Sequence, residues 1–569
     1  SEQGWEPVEF NRDWNIITNN ATKNFFQSEL NLTNKKDDFV LYRFNNLSYD
    51  NSFSGTKHEL QSKIKSNKTS FFVDGSYLSN TSNVEDNFFF KATAKAEHSL
   101  KKSWLGTSIN FETNSRKNVI TNEFLNTSHR FKDYEGYFGL GDSTKIFAKI
   151  GFNYRNNDSI KSNQFKEINN RKTIYINSKL IQNKNTNLSV FANYRITQNN
   201  FSNNEKTLNS RVSFNQKLFN NFVLLNTIYE TSSGNVARQD FVYVQTEPGL
   251  GFYTWIDYNE DGIKDFNEFE IAIFQDQANY LRLPKPNLTF LATQRAKWNQ
   301  SITINPRNWV QKSGLKKILS HFYNQSFLSI ENEQERGENS FQLNPFNINE
   351  DALVGLNLNI RNSLYYNKDL QKNSVTFTYG NSKIKQQYLI GNQENNIKIH
   401  QLDYAHKFAN FWLINFMGKT SKNTLQTENL VNRNFEVDAI EIQPKISFLY
   451  HQNNRFSAFY HYKNKQNQLA DFEVLNQQKF GVEYFLIDKK KNQISANVNV
   501  FLNNFNGNTN TPVAYQMLEG LQAGTNYTWN CILNKKLNSF LNLNLSYLGR
   551  KSENTRAIHT GSVQLRASF

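Results

Sequence analysis

One stretch of twelve residues has the residue types and the spacing of a calcium-binding loop. It runs from Asp257 to Glu268 and has a glycine, Gly262, at its sixth position. Calcium takes about six to eight hard oxygen ligands from carboxylates, amides and backbone carbonyls, and the glycine permits the sharp turn. The predicted Ca²⁺ ligands, with a backbone carbonyl at the seventh position, are Asp257, Asn259, Asp261, Ile263, Asp265 and Glu268.

The spacing resembles that of an EF-hand, with one departure. EF-hand loops usually have a β-branched apolar residue at the eighth position, where this sequence has Lys264, and Ile263 stands one place earlier. A dockerin-like or other calcium loop outside the EF-hand family therefore fits as well as a helix-loop-helix. The remaining alternative is a solvated acidic turn without a metal.

The calcium-like loop lies inside a long segment without period-two alternation, residues 246–286, which is bounded by Pro248 and by Pro284 and Pro286. Long loops in compact proteins are usually functional or disordered. The part from Phe269 to Tyr280 has enough apolar residues to pack, so we expect one ordered lid, constriction or docking element.

The elements around this segment read as β-strands, because apolar and polar residues alternate with a period of two. Residues 494–502 place Ile494, Ala496, Val498, Val500 and Leu502 on one face and Ser495, Asn497 and Asn499 on the other. Residues 188–196 and 541–547 alternate in the same way. The polar face suits a water-filled interior and the apolar face suits lipid.

Such segments repeat along the chain, and we count about 24 to 26 of them, each long enough for a tilted transmembrane strand of about 9 to 11 residues. Only a closed barrel satisfies every backbone amide of an all-strand structure in a bilayer. We therefore predict an all-β fold, a closed antiparallel transmembrane β-barrel with one long structured loop. The alternative, a soluble β-solenoid, is disfavoured because the sequence has no short internal repeat.

Composition excludes several other classes of protein. The 569 residues are 38% hydrophobic and 20% charged, with a mean hydropathy of -0.69, so no stretch suits a transmembrane helix. The net charge is +15, but the basic residues are scattered, and we expect no nucleic-acid partner. One cysteine, Cys531, rules out an internal disulfide and a cysteine-rich metal site.

The last residues form an alternating strand that ends on an aromatic residue. Val563, Leu565, Ala567 and Phe569 alternate with polar residues. This pattern resembles the terminal strand signal by which the insertion machinery recognises bacterial outer-membrane barrels. The resemblance implies an integral outer-membrane location, with lipid and lipopolysaccharide around the barrel.

Three further segments, Glu9 to Ile16, Trp255 to Leu283 and Met517 to the end, resemble parts of large outer-membrane proteins of Bacteroidota. The resemblance covers under a fifth of the chain. It implies a lead-in segment, residues 1–19, followed by a barrel over residues 20–569 that includes the 246–286 loop. Many such proteins carry a long region ahead of the barrel, so we expect one ahead of Ser1.

The sequence carries little that indicates an enzyme. Its nine histidines have no evident partner pattern, and it has no phosphate-binding glycine loop, HExxH or CxxC motif. We predict a non-catalytic protein and prefer a subunit of a larger envelope complex, for secretion or for outer-membrane protein assembly or transport, with other envelope proteins as partners. A stand-alone pore or translocation channel and a surface adhesin or receptor remain the alternatives.

Overall fold

A computed structural model gives the fold of the chain. It describes Trp14 and residues 23–34, 38–49, 52–143, 145–237, 240–285, 290–337, 341–370, 372–388, 390–451, 453–488, 492–538, 540–553 and 555–567. Of the predicted lead-in segment 1–19, only Trp14 is among these residues. Pro286, Ser568 and Phe569, on which parts of the loop and terminal-strand predictions rest, lie outside them.

Long β-strands make up most of the described chain. Their lengths run from 10 to 19 residues, which suits tilted strands that cross a bilayer. They are β1 (Lys23–Thr33), β2 (Phe39–Tyr49), β3 (Phe53–Ser66), β4 (Thr69–Ser82), β5 (Glu85–Ser99), β6 (Ser103–Asn118), β7 (His129–Gly141), β8 (Phe147–Lys161), β9 (Gln164–Gln182), β10 (Thr186–Asn199), β11 (Glu205–Leu218), β12 (Val223–Ala237), β17 (Phe290–Ile304), β18 (Phe322–Glu335), β19 (Leu353–Tyr366), β20 (Ser374–Tyr388), β21 (Gly391–Phe408), β22 (Trp412–Thr427), β23 (Phe435–His451), β24 (Asn454–Asn467), β25 (Val474–Ile487), β26 (Gln493–Asn506), β27 (Gly524–Lys536), β28 (Leu541–Ser552) and β29 (Ile558–Ala567).

The connections hold four short strands and several short helices. The strands are β13 (Phe241–Gln245), β14 (Tyr253–Trp255), β15 (Phe269–Ile271) and β16 (Tyr280–Pro284). The α-helices are α1 (Leu315–Leu319) and α2 (Pro512–Leu518), and the 3-10 helices are Phe266–Glu268, Gln275–Gln277, Pro306–Trp309, Glu350–Ala352 and Val431–Arg433. Among the described residues, no helix combines the length and the apolar character that crossing a membrane requires.

The long strands form one 25-stranded antiparallel sheet, and the four short strands form a second sheet. This confirms the all-β prediction, the antiparallel arrangement and the expected strand number. The second sheet confirms that the predicted long loop is structured. The structured loop begins at β13, before the predicted residue 246, because β13 pairs with β16 and not with the large sheet.

The chain divides into two compact units. The first contains β1 to β10, in which each strand pairs with the next one along the chain. Its Trp14 is buried against Leu47 and Tyr49, and the amide of Asn80 donates a hydrogen bond of 2.6 Å to the Trp14 carbonyl. This part of the predicted lead-in is therefore anchored to β2 and β4.

The second unit contains β17 to β29, which also pair in chain order, together with the four-stranded sheet. Because successive strands run in opposite directions, their connections alternate between two ends. We call the end with residues 428–434 and 507–523 the cap end, and the end with residues 409–411 and 305–321 the far end.

The two faces of the large sheet differ in polarity. On β23, Ile440, Ile442 and Ile446 are exposed on one face. Glu441 and Lys445 lie on the other face and form ion pairs with Lys419 of β22 and Glu483 of β25. We call these the apolar face and the polar face. The cross-strand register of residues 494–502 keeps the predicted alternation in β26. An exposed apolar face is the property expected of strands that contact lipid.

Candidate functional site

The four-stranded sheet has its own aromatic core. Tyr243 of β13 and Phe269 of β15 stack with ring centroids 4.0 Å apart and planes 7° apart, and Tyr280 meets Phe269 edge-on at 5.1 Å. Phe269 and Tyr280 are buried, as the apolar residues from 269 to 280 predicted. Residues 241–284 therefore form a folded element, which we call the cap.

A buried ion pair attaches the cap to the connection between β22 and β23. Glu270 of β15 is 0% exposed, and one of its carboxylate oxygens lies 2.8 Å from a guanidinium nitrogen of Arg433. Arg433 also donates to the backbone carbonyls of Asn267 and Phe269, and Gln516 donates to the same Glu270 oxygen at 3.0 Å. Burial raises the pKa of Glu270 above its ordinary value, although Arg433 and Gln516 act in the opposite direction.

Helix α2 provides the platform under the cap. Thr511 caps its N-terminus by accepting a hydrogen bond from the Ala514 amide, and Pro512 occupies a first-turn position, where a missing N–H costs nothing. The helix ends at Glu519, which has left-handed backbone geometry. Its apolar side chains pack against three residues on the polar side of β23 and β25, namely Phe435, Val437 and Leu475. This loop is therefore folded over the polar face.

Glu519 ties the end of α2 to the lysines of β24. One of its carboxylate oxygens lies 2.7 Å from Lys463 Nζ and 2.9 Å from Lys465 Nζ. Partial burial alone would raise the pKa of Glu519, but Lys465 and Lys463 outweigh it and lower the pKa to about 2. The carboxylate is therefore ionised under all ordinary conditions and holds the helix against β24.

Two further contacts connect the cap to the same region. The Tyr515 hydroxyl donates to the Ile271 carbonyl at 3.2 Å and accepts from the Ile273 amide at 3.3 Å. Arg550 of β28 pairs with Asp276 at 2.6 Å. The cap is thus held on the cap end of the second unit by residues that are far apart in the sequence.

The predicted calcium loop is ordered by hydrogen bonds between its own side chains and backbone. Asp257 accepts from the Gly262 amide at 2.9 Å, Asn259 from the Asp261 amide at 3.1 Å, and Asp261 from the Ile263 amide at 2.6 Å. Gly262 has a φ of +73°, a conformation that glycine adopts without strain. The loop therefore makes the sharp turn that its glycine predicts.

The predicted ligands in the second half of the loop form hydrogen bonds within the cap. Glu268 is 1% exposed and accepts from Trp255 Nε1 at 2.8 Å, from the Tyr258 amide at 3.3 Å and from the Asp265 amide at 3.4 Å. The Ile263 carbonyl, the predicted backbone ligand, accepts from the Asp265 amide at 3.2 Å. These contacts fix the 3-10 turn that ends the loop.

The surroundings of the loop distinguish between the two kinds of calcium loop. It is preceded by β14 and followed by β15, so it is not part of a helix-loop-helix. Within the part of the chain that the structure describes, no three histidine, cysteine, aspartate or glutamate side chains converge in a group that could hold a metal ion. Calcium binding at these six residues stays a prediction.

The residues that anchor the cap were not identified from the sequence. Arg433 and Gln516 are 163 and 246 positions from Glu270, and each occupies an ordinary polar position in its own loop. One signal was available for α2, since Thr511 followed by Pro512 is a helix start. Which loops meet at the cap depends on strand pairing, which no local pattern reveals.

No family model and no curated protein matches this chain. Among solved structures, it is similar to the FrpB iron transporter from Neisseria meningitidis (TM-score 0.33, 8% identity, 91% of this chain and 81% of that one). It is also similar to BauA, the ferric preacinetobactin receptor from Acinetobacter baumannii (0.30, 9%, 95% and 78%). A third is the ferric-catecholate import receptor Fiu from E. coli K12 (0.29, 7%, 88% and 77%). These TM-scores and identities are too low to assign the activity of any of these proteins to this chain.

Proposed function

We propose that the chain is an integral β-barrel of the bacterial outer membrane, formed by closure of the 25-stranded sheet. The exposed isoleucines of β23 would contact lipid and lipopolysaccharide, and so would the exposed side chains of β24 to β26, namely Phe456, Phe480, Val482 and Val498. The ion-paired polar face would line the interior. Closure accounts for the strand lengths and leaves no unpaired edge in the membrane.

The cap end would face the cell exterior. Most connections at the far end are short, such as 409–411 and 452–453, whereas the cap and the α2 loop lie at the other end. Outer-membrane barrels have short periplasmic turns and longer extracellular loops. The one long connection at the far end, residues 305–321, departs from this rule.

We infer that the protein is a non-catalytic subunit of a larger envelope complex for transport or secretion. The observation that carries this inference is the cap, which is anchored on one side and has exposed apolar side chains. Phe252 is 70% exposed, and Leu250 and Ile271 are also exposed, although all three lie outside the lipid-facing strands. Exposed apolar residues outside the membrane are best explained by a protein partner.

A stand-alone gated channel is the second candidate. It is favoured by the position of α2, which is folded over the polar face and held there by Glu519, Lys463 and Lys465. In a closed barrel of this size, side chains alone do not fill the interior. The cap and α2 would then narrow the passage at the cap end.

We propose that calcium stabilises the cap. Asp257, Asn259, Asp261, Asp265 and Glu268 would supply side-chain oxygens, and Ile263 its carbonyl. A bound ion would fix the loop that follows β14 and so keep the partner-binding surface ordered. One carboxylate oxygen of Asp257, Oδ1, is buried and accepts no hydrogen bond from the described residues, which supports this proposal.

The complex is tested by mild-detergent isolation of the tagged full chain from outer membranes, with the stoichiometry of all retained proteins. The subunit proposal requires constant companions. The double variant Leu250→Ser with Phe252→Ser should lose a companion, because it removes the exposed apolar side chains of the cap.

The matched control is Val310→Ser with Leu315→Ser, which makes the same kind of change on exposed residues at the far end. It should retain every companion that the wild type retains. Isolation of a lone barrel would contradict the subunit proposal. Ion conductance of the isolated protein in a planar bilayer would then support the channel.

A further inference from the structure

A cavity of 470 Å³ lies between the cap and the polar face of the large sheet. Residues 273–276 of the cap line one side, and side chains of β25 to β29 line the other. Small-molecule sites in proteins have volumes of about 300 to 1,000 Å³. The cavity is therefore large enough for a small organic molecule.

Lys479 of β25 faces this cavity without a counter-ion. Among the residues that the structure describes, no carboxylate lies within 4.0 Å of its Nζ, and no hydrogen bond to it is formed. Its Nζ lies over the rings of Phe501 and Phe459, with the centroids at 5.0 and 5.2 Å. A partly buried ammonium group without an ion-pair partner gains from an anion that enters the cavity.

Arg550 supplies a second cationic group to the same cavity. Its terminal nitrogen pairs with Asp276, but its Nε is buried and has no hydrogen-bond partner in the described part of the chain. A buried N–H without a partner costs free energy, which an acceptor in the cavity would recover.

The nearby carboxylates are already engaged. Glu519 is shared by Lys463 and Lys465, and Glu483 pairs with Lys445 at 2.5 Å. Asp276 pairs with Arg550. None of these carboxylates forms an ion pair with Lys479.

We propose that this cavity binds a small organic anion, whose carboxylate or phosphate group contacts Lys479 and Arg550. Asn499, Thr528 and Asn530 line the cavity and offer hydrogen-bonding groups for a polar substituent. Other lining residues are apolar, namely Phe501, Leu521, Leu548 and Ile558, so a ligand with a carbon skeleton fits better than inorganic phosphate. The proposal rests on the polar face being the water-filled side of the barrel, and it holds for a complex subunit and for a channel alike.

The test is titration of the purified full chain in detergent with benzoate, and with benzamide as its neutral counterpart, by isothermal calorimetry. The wild type should bind benzoate in preference to benzamide. Lys479→Gln should weaken benzoate binding by about tenfold or more, because a charge-assisted hydrogen bond is lost. Lys479→Arg keeps the charge and should bind benzoate within a few-fold of the wild type.

Lys407→Gln is the matched control, since Lys407 lies on the polar face near the far end of β21 and does not line the cavity. It should bind benzoate as the wild type does. Equal binding of benzoate and benzamide, or unchanged benzoate affinity in Lys479→Gln, would overturn the proposal. The proposed complex is tested separately, by the stoichiometry of the retained proteins, and neither result of the benzoate titration would change that stoichiometry.

Discussion

The pair formed by Glu270 and Arg433 is the residue-scale contact on which the attachment of the cap depends most. A buried ion pair contributes little compared with well-packed apolar side chains, because both charges lose their hydration. Removing one partner is costly, because the other charge stays buried without compensation. The pair therefore makes the docked position of the cap specific.

Arg433→Ala should release the cap. The variant leaves the carboxylate of Glu270 buried and unpaired, which costs about 3–5 kcal/mol for a buried pair. Hydrogen exchange of the β14 and β15 amides should become much faster. Arg307→Ala, which removes an exposed pair with Asp369 at the far end, should cost less than about 1 kcal/mol and leave exchange in the cap unchanged. Wild-type exchange rates in Arg433→Ala would contradict this account.

Glu519 should make the docking of the α2 loop sensitive to strong acid. Its pKa is lowered to about 2 in the folded protein, against an ordinary value of 4.5. A lowered pKa means that the stabilisation is fully present above 4.5 and is lost as the pH falls towards 2. The effect should be modest, because the side chain is 42% exposed.

The measurement is hydrogen exchange of residues 512–523, corrected for the intrinsic pH dependence of exchange. Protection should fall between pH 4.5 and pH 2 in the wild type. In Glu519→Gln, protection should be lower at neutral pH and should no longer change over this window. A parallel decline in both proteins would assign the acid sensitivity to another group.

At the scale of elements, period-two alternation was enough to predict the strands, because one face of each strand is exposed and apolar and the other is polar. Runs such as 494–502 can therefore be recognised as strands from their own residues, without knowledge of the strands that they pair with. The cap sheet was predicted only as an ordered loop. Its strands are three to five residues long, too short for a period to be recognised, and β13 pairs with a strand 35 or more residues further on. The anchors of the cap depend on pairing between distant loops, which local patterns do not contain.

The stacked aromatic core should hold the cap sheet together. Phe269→Ala removes a side chain that is 5% exposed and stacked on Tyr243, and such truncations cost about 3–5 kcal/mol. Ile271→Ala, on the same strand but 61% exposed, should change stability by less than about 0.5 kcal/mol. Limited proteolysis of the cap measures the difference. Equal protease sensitivity of the two variants would refute the role of the core.

Calcium should protect the cap loop from proteolysis. Asp257→Asn with Asp261→Asn removes two anionic ligands and should abolish the protection of residues 257–268 by added calcium. Glu260→Gln removes a negative charge from the same loop at a position that is not a predicted ligand, and should keep the protection. Calcium that leaves the proteolysis of the wild type unchanged would show that no calcium site exists here.

At the scale of the whole molecule, the proposed function depends on the orientation of the two faces of the large sheet. The apolar face must contact lipid and the polar face must line the interior, for otherwise the cap, α2 and the anion cavity would not lie on a passage.

The most direct test uses the single cysteine. Cys531 is exposed on the apolar face of β27, and the adjacent Asn530 faces the cavity side. A nitroxide attached to Cys531 in outer-membrane vesicles should collide readily with oxygen and poorly with a water-soluble nickel chelate. A nitroxide on Asn530→Cys, in a Cys531→Ser background, should show the opposite preference. Ready access of the nickel chelate to Cys531 would contradict the outer-membrane barrel.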